Sequence, residues 1–413
     1  MPLRALGVVL AALLLHAHND FAPLDSYAMF SATSNLTIEH QFSDSYYSAR
    51  ELFRIRAEAA GAKLYSLPLE HLQSLDLTVD VAVLQGSKKH ILLHVSGTHG
   101  VEGFAGSAIQ AVLLKEAAER SRFAERLDPT VIFVHALNPY GLARLRRFNE
   151  NGVDLNRNWL TPEQFQERQA RELDGRGYMS VYDLLNPTEV NGIQNWFWTK
   201  GMWYLATRGF YAIKQATVGG NYRFPWTLFY GGTELEPSLV LLRKFLREHV
   251  DFDVVKTFAM IDVHTGLGPA GVDTLMLGAD SSVDVARSVF PGPEYADKVV
   301  STHDSSNPVS RGYDDVGGLI YNGVAGLLSP QTKENAVLLC QEFGTVPGVF
   351  ILKALVEENV MYKRSSSSAA RLPYAQKLRD VFYLHQSNSW KSEVLRRGAD
   401  VYDRLYAFVA SKE

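Results

Sequence analysis

Two short segments of the chain combine histidine and carboxylate side chains with glycine, and each directly follows an apolar run. The first reads Ser-Gly-Thr-His-Gly-Val-Glu-Gly and contains His99 and Glu102. The second reads Asp-Val-His-Thr-Gly-Leu-Gly and contains His264. A catalytic zinc site takes three protein ligands of these types and leaves one position for water. The two segments together therefore predict a catalytic zinc site.

Apolar runs bounded by glycine place these segments at the ends of buried strands. Residues 91–95 and 258–261 precede the two segments, and residues 131–135 and 336–340 form similar runs. An Ala- and Leu-rich helix is predicted over residues 103–119. The carboxyl ends of buried parallel strands are where an α/β protein assembles its site. We therefore expect an α/β fold with the candidate ligands at one edge of the sheet.

The His-x-x-Glu pair is weak evidence when taken alone. With 12 His and 45 acidic residues in 413 positions, about 1.3 such pairs arise by chance. The structural alternative is a hydrogen-bonded core histidine and a glutamate favoured by the helix dipole. The strand-to-helix junction favours the ligand interpretation, because two rigid elements would hold the pair.

A basic stretch with asparagines follows the third apolar run. Three arginines lie within residues 144–147, and Asn156 and Arg157 follow in Gly-Val-Asp-Leu-Asn-Arg-Asn. Guanidinium groups bind carboxylates in bidentate fashion, and asparagine adds hydrogen bonds without charge. The alternatives are a solvated basic loop or a nucleic-acid contact. A net charge of −4 and the absence of a long basic run argue against nucleic acid as a partner.

Glu342 follows the last apolar run, in the segment Gln-Glu-Phe-Gly-Thr. A carboxylate at the end of a buried strand is costly unless it is paired or functional. Beside a metal it could accept the proton of a bound water molecule. The structural alternative is an ordinary carboxylate at the end of a strand.

In this order, the motifs resemble those of carboxypeptidase A-like zinc metallopeptidases. The resemblance is closer to an uncharacterised branch with Asp-x-His-Thr-Gly-Leu-Gly, a preceding Tyr-Gly-Gly and Glu-Phe-Gly-Thr, and it covers residues 42–413. It implies a mixed, mostly parallel central sheet flanked by helices in a single catalytic domain. It also implies Zn²⁺ as the cofactor, with three ligands: His99, Glu102 and His264.

The resemblance assigns further roles to residues around the metal. Glu342 is similar to the general base that later protonates the leaving group. Arg147 is similar to the arginine that stabilises the oxyanion, with Arg146 as the alternative. Asn156 and Arg157 are similar to the pair that binds the free carboxylate of the substrate.

Two features depart from the family pattern. The tyrosine that closes over substrate in many members has no single match here: Tyr321 is the candidate for substrate binding, and Tyr313 is the alternative. The chain also carries an aromatic-rich insert at about residues 160–236, with Trp198 and Trp203 among its aromatics. We expect these aromatics to form the core of an added lobe, and a wall of the substrate pocket is the alternative.

The N-terminal segment is typical of a secretory signal. Arg4 precedes eleven apolar residues and then the small residue Ala17, and the apolar run is too short to span a bilayer. We expect a signal peptide at residues 1–22, an extension at residues 23–41 and the catalytic domain at residues 42–413. The protein is then secreted or enters the secretory lumen without a stable membrane span, and a signal anchor is the alternative.

The combined motifs predict a zinc-dependent hydrolase that cleaves an amide bond. The expected activity is that of a metallocarboxypeptidase releasing C-terminal residues from peptides. Two alternatives remain: a zinc N-acyl amino acid deacylase or cell-wall peptide amidase of the same clan, and a non-catalytic binding module. The expected partner is a peptide or an acylated amino acid with a free carboxylate.

Overall fold

A computed structural model describes residues 38–121, 128–171, 177–190, 197–278, 281–302 and 316–411. The predicted signal peptide and the extension as far as residue 37 lie outside these ranges, as do Trp196 and Tyr313. Among the described residues, no helix has both the length and the apolar character that crossing a membrane requires.

Eight strands form a single mixed sheet, in the order β1-β2-β4-β3-β5-β8-β6-β7. The central neighbours β4, β3, β5 and β8 run parallel, whereas β1–β2, β2–β4 and β6–β8 pair antiparallel. The predicted mixed sheet flanked by helices is confirmed. The strands are β1 Lys63–Pro68, β2 Thr78–Leu84, β3 Ser87–Ser96, β4 Pro129–His135, β5 Thr257–Gly266, β6 Asp273–Leu277, β7 Val299–Ser301 and β8 Ala336–Gly344.

The four predicted apolar strands correspond to β3, β4, β5 and β8, and the predicted helix after β3 is α2. The α-helices of the described residues are α1 Tyr46–Ala59, α2 Gly103–Ser121, α3 Pro139–Arg144, α4 Pro162–Arg171, α5 Tyr182–Leu185, α6 Phe197–Arg208, α7 Phe210–Val218, α8 Pro237–His249, α9 Val283–Val289, α10 Ile320–Ala325, α11 Pro330–Lys333, α12 Gly348–Arg364, α13 Ser368–Phe382 and α14 Asn388–Ala410.

The sheet has a hydrophobic core on each face. Successive residues of a strand point to opposite faces, so Leu92 packs with helices α1, α2 and α14, whereas Leu93 packs with helix α8. Burial on both faces explains why the central strands are continuous apolar runs. Polar side chains that could form a site are therefore expected where these apolar runs end, at the carboxyl ends of the strands.

The aromatic insert folds largely as helices α4 to α7. Some of its aromatic side chains are buried, and Phe197 and Phe229 join a cluster that also contains Val101 and Phe148. Others are exposed, among them Trp203, which is 69% exposed. The expectation that these aromatics form core therefore holds for only part of the insert.

Candidate metal centre and its surroundings

His99 and Glu102 lie just beyond the carboxyl end of β3. Gly97, with a φ of 67°, turns the chain after the strand, and the short 3-10 helix Gly100–Glu102 leads into α2. Both candidate ligands are buried, with exposures of 4% for His99 and 2% for Glu102. The backbone N–H of Thr265 donates to Glu102 Oε2 at 3.1 Å, which ties this turn to the end of β5.

A close backbone approach at Gly100 brings the arginine segment to this turn. A Cβ added at Gly100 would lie 2.1 Å from the carbonyl carbon of Gly141, so only glycine fits here. Asn138 caps α3 by accepting from Gly141 N–H, and its Nδ2 donates to the carbonyl of Arg147 at 3.1 Å. The Asn-Pro-x-Gly motif therefore positions the backbone of Arg147.

His264 lies near the end of β5, and a carboxylate on the same strand orients its ring. Because residues two apart on a strand point to the same side, Asp262 lies beside His264 and its Oδ2 is 2.8 Å from His264 Nε2. Thr98 donates to the other oxygen of Asp262 at 2.8 Å. The Asp-x-His spacing thus directs Nδ1 of His264 away from Asp262 and toward His99 and Glu102.

Three ligand groups converge on one point. The Nδ1 atoms of His99 and His264 are 3.0 Å apart, and Glu102 Oε1 is 3.0 Å from His99 Nδ1. Glu102 Oε2 is 3.1 Å from His264 Nδ1. Ligand atoms at zinc–ligand distances of 2.0–2.1 Å in a tetrahedral site are about 3.3 Å apart. The spacing and the chemistry of these atoms fit a zinc ion.

The charges of the cluster also favour a cation. The guanidinium of Arg147 is held between the buried carboxylates of Glu102 and Asp154, and a third buried carboxylate, that of Asp262, lies against His264. Burial alone would lower the pKa of His264, but Asp262 and Glu102 hold that pKa well above its usual value. The carboxylates thus attract positive charge to His264, and a metal ion can replace a proton at such a ligand.

Asp154 and Asp262 are functional candidates to which the motifs alone assigned no role. Asp154 Oδ1 lies 3.0 Å from Nε2 of His99, and Asp262 Oδ2 lies 2.8 Å from Nε2 of His264, so each histidine has a carboxylate at its second ring nitrogen. Burial raises the pKa of Asp154, but Arg147 and His99 outweigh this effect and hold the pKa well below the usual range. Their role could have been predicted from chemistry, because a metal-bound histidine usually hydrogen-bonds through its second ring nitrogen to a carboxylate or a carbonyl.

Replacing Asp262 by asparagine is expected to weaken zinc binding roughly 10- to 100-fold, as is usual when a histidine ligand loses its carboxylate partner. The measurement is zinc affinity by competition with a chelator. Asp380→Asn is the control, since Asp380 is an exposed acid of α13 paired with Arg379. Equal zinc affinity in Asp262→Asn and in the unaltered protein would contradict the orienting role of Asp262.

Glu342 lies beside His264 because β8 and β5 pair in parallel with these two residues in register. Its Oε1 accepts a hydrogen bond from Leu267 N–H at 2.9 Å. Burial, together with the negative charge of Glu102, raises the pKa of Glu342 to about 7. A carboxyl group with a pKa near neutrality can both accept and return a proton, which suits a general base.

The structure places Arg147, and not the alternative Arg146, at the ligand cluster. Arg147 Nη1 donates to Glu102 Oε1 at 2.9 Å, and Nε donates to Asp154 Oδ2 at 3.0 Å. Arg146 is 1% exposed and pairs with Glu358 at 2.8 Å. Its guanidinium therefore forms a buried ion pair with α12 and does not contact the candidate ligands.

Asn156 and Arg157 form the next turn of the chain, adjoining Asp154. The N–H of Asn156 donates to Asp154 Oδ1 at 3.0 Å, and its own Oδ1 accepts from Ile320 N–H. Arg157 is 3% exposed, and donates from Nε to Val218 O and from Nη1 to Asn156 O. Both side chains are thereby held in place next to the histidine-bound carboxylate.

Tyr321 lies on α10 and is buried in the hydrophobic core on the α8 face of the sheet. A Cβ added at Gly278 would lie 2.6 Å from its ring, so the ring is closely packed. The structure therefore shows Tyr321 as a packed core residue. Its substrate-binding role stays a prediction.

The Tyr-Gly-Gly motif supports the Asp154 turn from the other side. The N–H of Asp154 donates to the carbonyl of Tyr230 at 2.7 Å, and Asn158 Nδ2 donates to the carbonyl of Gly231 at 2.8 Å. A Cβ added at Gly231 would lie 2.2 Å from the ring of Tyr222. The motif therefore has a structural function in shaping the site.

The sequence matches the family described as "Protein of unknown function (DUF2817)" over residues 42–397, and the chain belongs to this family. This confirms the predicted membership of an uncharacterised family. A comparison with curated proteins finds no match.

Several solved structures are similar to the chain. The carboxypeptidase A of Helicoverpa armigera has 12% identity, a TM-score of 0.42 and coverage of 84% of this chain and 77% of its own. Bovine thrombin-activatable fibrinolysis inhibitor has 12% identity, a TM-score of 0.40 and coverage of 82% and 98%. An aspartoacylase family protein of Mesorhizobium loti has 15% identity, a TM-score of 0.30 and coverage of 69% and 60%.

Proposed function

We propose that the protein is a zinc-dependent hydrolase of amide bonds that acts as a metallocarboxypeptidase. The observation that carries the proposal is the convergence of His99, Glu102 and His264 within 3.0–3.1 Å of one another, with Glu342 on the neighbouring strand. Three ligands and an adjacent carboxyl group are the components that zinc-assisted hydrolysis requires.

The chemistry that a bound zinc ion supplies at such a site is Lewis acidity, together with a lowered pKa of its water. Glu342 then accepts the proton of the attacking water and returns it to the leaving nitrogen. Arg147 is held by two carboxylates, which fix its guanidinium beside the ligands. A guanidinium in that position stabilises the negative charge that develops on the carbonyl oxygen.

Asn156 and Arg157 are proposed to bind the free carboxylate of the substrate. Arg157 donates its hydrogen bonds from Nε and Nη1, and Asn156 uses its backbone N–H as a donor and its Oδ1 as an acceptor. Nη2 of Arg157 and Nδ2 of Asn156 therefore have no hydrogen-bond partner among the described residues. Two unpartnered donors on neighbouring residues that are otherwise buried favour an anionic group as their ligand.

The substrate assignment is tested with a peptide that has a free C-terminal carboxylate and with the same peptide amidated. Losing a charge-assisted contact costs about 1.5–3 kcal/mol, so the unaltered enzyme should cleave the amide roughly 10- to 100-fold more slowly in kcat/KM. Arg157→Ala should show a similar fall on the free acid and little change on the amide.

The ratio of kcat/KM for the two peptides is the decisive quantity. Arg157 also donates to the carbonyls of Val218 and Asn156, and any structural effect of losing these bonds would slow both peptides equally and leave the ratio unaffected. Arg396→Ala, at an exposed arginine of α14, is the control and should keep the original ratio. Equal cleavage of both peptides by the unaltered enzyme would exclude a carboxypeptidase. Faster cleavage of N-acyl amino acids than of any peptide would instead identify a deacylase.

A further inference from the structure

Helices α6 and α7 expose an unusual number of large aromatic side chains. Trp203 is 69% exposed, Phe210 61% and Trp198 48%. The ring of Trp198 lies edge-on to Phe350 of α12, with centroids 5.8 Å apart, and Phe350 is itself 44% exposed. The rings of Phe210 and Tyr211 form a second such pair, with centroids 5.5 Å apart, and exposed apolar side chains that lie together mark interaction surfaces. We call Trp198, Trp203, Phe210, Tyr211 and Phe350 the aromatic surface.

The charge of this region is opposite in sign to that of the chain. Residues 197–218 contain three cations and no acidic residue, whereas the whole chain carries a net charge of −4. The cations are Lys200, Arg208 and Lys214. Arg208 lies 5.3 Å from the ring of Tyr204. Aromatic rings combined with Lys and Arg are the composition of segments that bind at the surface of anionic membranes.

The aromatic surface also continues toward the candidate metal centre. Phe350 and the exposed Val349 lie in the first turn of α12. A Cβ added at the neighbouring Gly348 would lie 3.8 Å from the side chain of Leu267, which is 40% exposed. The backbone N–H of Leu267 donates to Glu342. An apolar rim therefore links the aromatic surface to the residue proposed as the base.

We propose that the aromatic surface docks the protein onto an anionic lipid bilayer, with its aromatic side chains in the headgroup region. The cations favour the bilayer over a second copy of this chain, whose net charge is only weakly negative and whose matching surface carries the same positive charge. Docking through this surface brings the site to substrates displayed at the membrane. The inference does not depend on the zinc chemistry.

Binding to lipid vesicles tests the proposal directly. The unaltered protein should bind vesicles of phosphatidylcholine with phosphatidylglycerol at least tenfold more tightly than vesicles of phosphatidylcholine alone, as judged by cosedimentation. Lys200→Gln combined with Arg208→Gln should weaken binding to the anionic vesicles roughly 25-fold, at about a fivefold effect for each cation near an anionic surface. Added salt should also weaken binding to the anionic vesicles, because it screens the attraction between the cations and the lipid headgroups.

The aromatic contribution is measured with Trp203→Ser combined with Phe210→Ser. These substitutions lie at exposed positions, so the fold should persist, and binding to anionic vesicles should fall at least tenfold. Ile55→Ser, at an exposed apolar position of α1, is the matched control and should bind as the unaltered protein does.

Three results would overturn the proposal. The first is no binding of the unaltered protein to anionic vesicles, and the second is equal binding to neutral and anionic vesicles. The third is a dimer, detected by sedimentation velocity, that disappears in the Trp203→Ser, Phe210→Ser variant, since the surface would then be an interface between two copies.

Discussion

Replacing His264 or His99 with alanine is expected to remove zinc from the protein and to abolish hydrolysis. The unaltered chain should carry about one zinc per molecule, as the three-ligand rule for catalytic sites predicts. Each alanine variant should retain less than about a tenth of that after dialysis, because two ligands seldom hold zinc against competing water. Elemental analysis of the purified proteins measures the zinc content.

The control for this experiment is His71→Ala. His71 is a half-exposed histidine whose Nε2 pairs with Glu150 Oε1 at 2.9 Å, and Glu150 is not one of the candidate ligands. Its substitution should leave zinc content unchanged. Full zinc occupancy in both His99→Ala and His264→Ala would show that the ligands lie elsewhere.

A folding failure must be distinguished from loss of the metal. Removing the ring of His264 leaves Asp262 fully buried, with Thr98 as its one hydrogen-bond partner among the residues that the structure describes. An uncompensated buried charge can cost several kcal/mol. The double variant His264→Ala with Asp262→Asn removes this charge, and circular dichroism should show the same fold as the unaltered protein while zinc stays absent.

Replacing Glu342 with glutamine is expected to lower kcat roughly 100- to 10,000-fold while zinc remains bound. The amide keeps the size of the side chain but cannot accept the proton of the attacking water, and general base catalysis contributes a factor of this order. Leu267 N–H can still donate to the amide oxygen, since only one carboxylate oxygen accepts that bond. Turnover and elemental analysis on the same preparation measure both effects.

Glu102→Gln is the matched comparison, because it is the same change at a candidate ligand. It removes the anionic ligand and the ion pair with Arg147 Nη1 at 2.9 Å, so zinc affinity as well as turnover should fall. Near-normal turnover in Glu342→Gln would place the base on another residue. Loss of zinc in Glu342→Gln would make Glu342 a ligand and not a base.

The sequence by itself was enough to predict the strands at whose ends the candidate ligands lie. The strands β3, β5 and β8 could be predicted from their apolar runs, because a strand buried on both faces is continuously apolar and ends where polar residues and glycine begin. The order of the motifs then pointed to His99, Glu102, His264 and Glu342. These four needed no knowledge of long-range contacts, since each lies at the end of a strand, or in the turn after it, that an apolar run predicted.

The choice between Arg146 and Arg147 was decided only by the tertiary structure. Neighbouring residues in a non-helical segment point in different directions, and here Leu145 adopts a left-handed conformation with a φ of 56° just before them. Backbone contacts from Gly100 and Val101 then fix which guanidinium faces the ligands. Such contacts join residues far apart in sequence and leave no local pattern.

The carboxylate partners of the two candidate ligand histidines likewise depended on the fold. Asp154 lies 55 positions after His99, and the two meet only because the Tyr-Gly-Gly segment and Gly100 bring separate turns together. Glu342 comes to lie beside His264 through the register of β5 and β8, which is set by packing on both faces of the sheet. Local patterns could therefore place a chemical group at the end of a strand, but long-range packing decided which groups face one another.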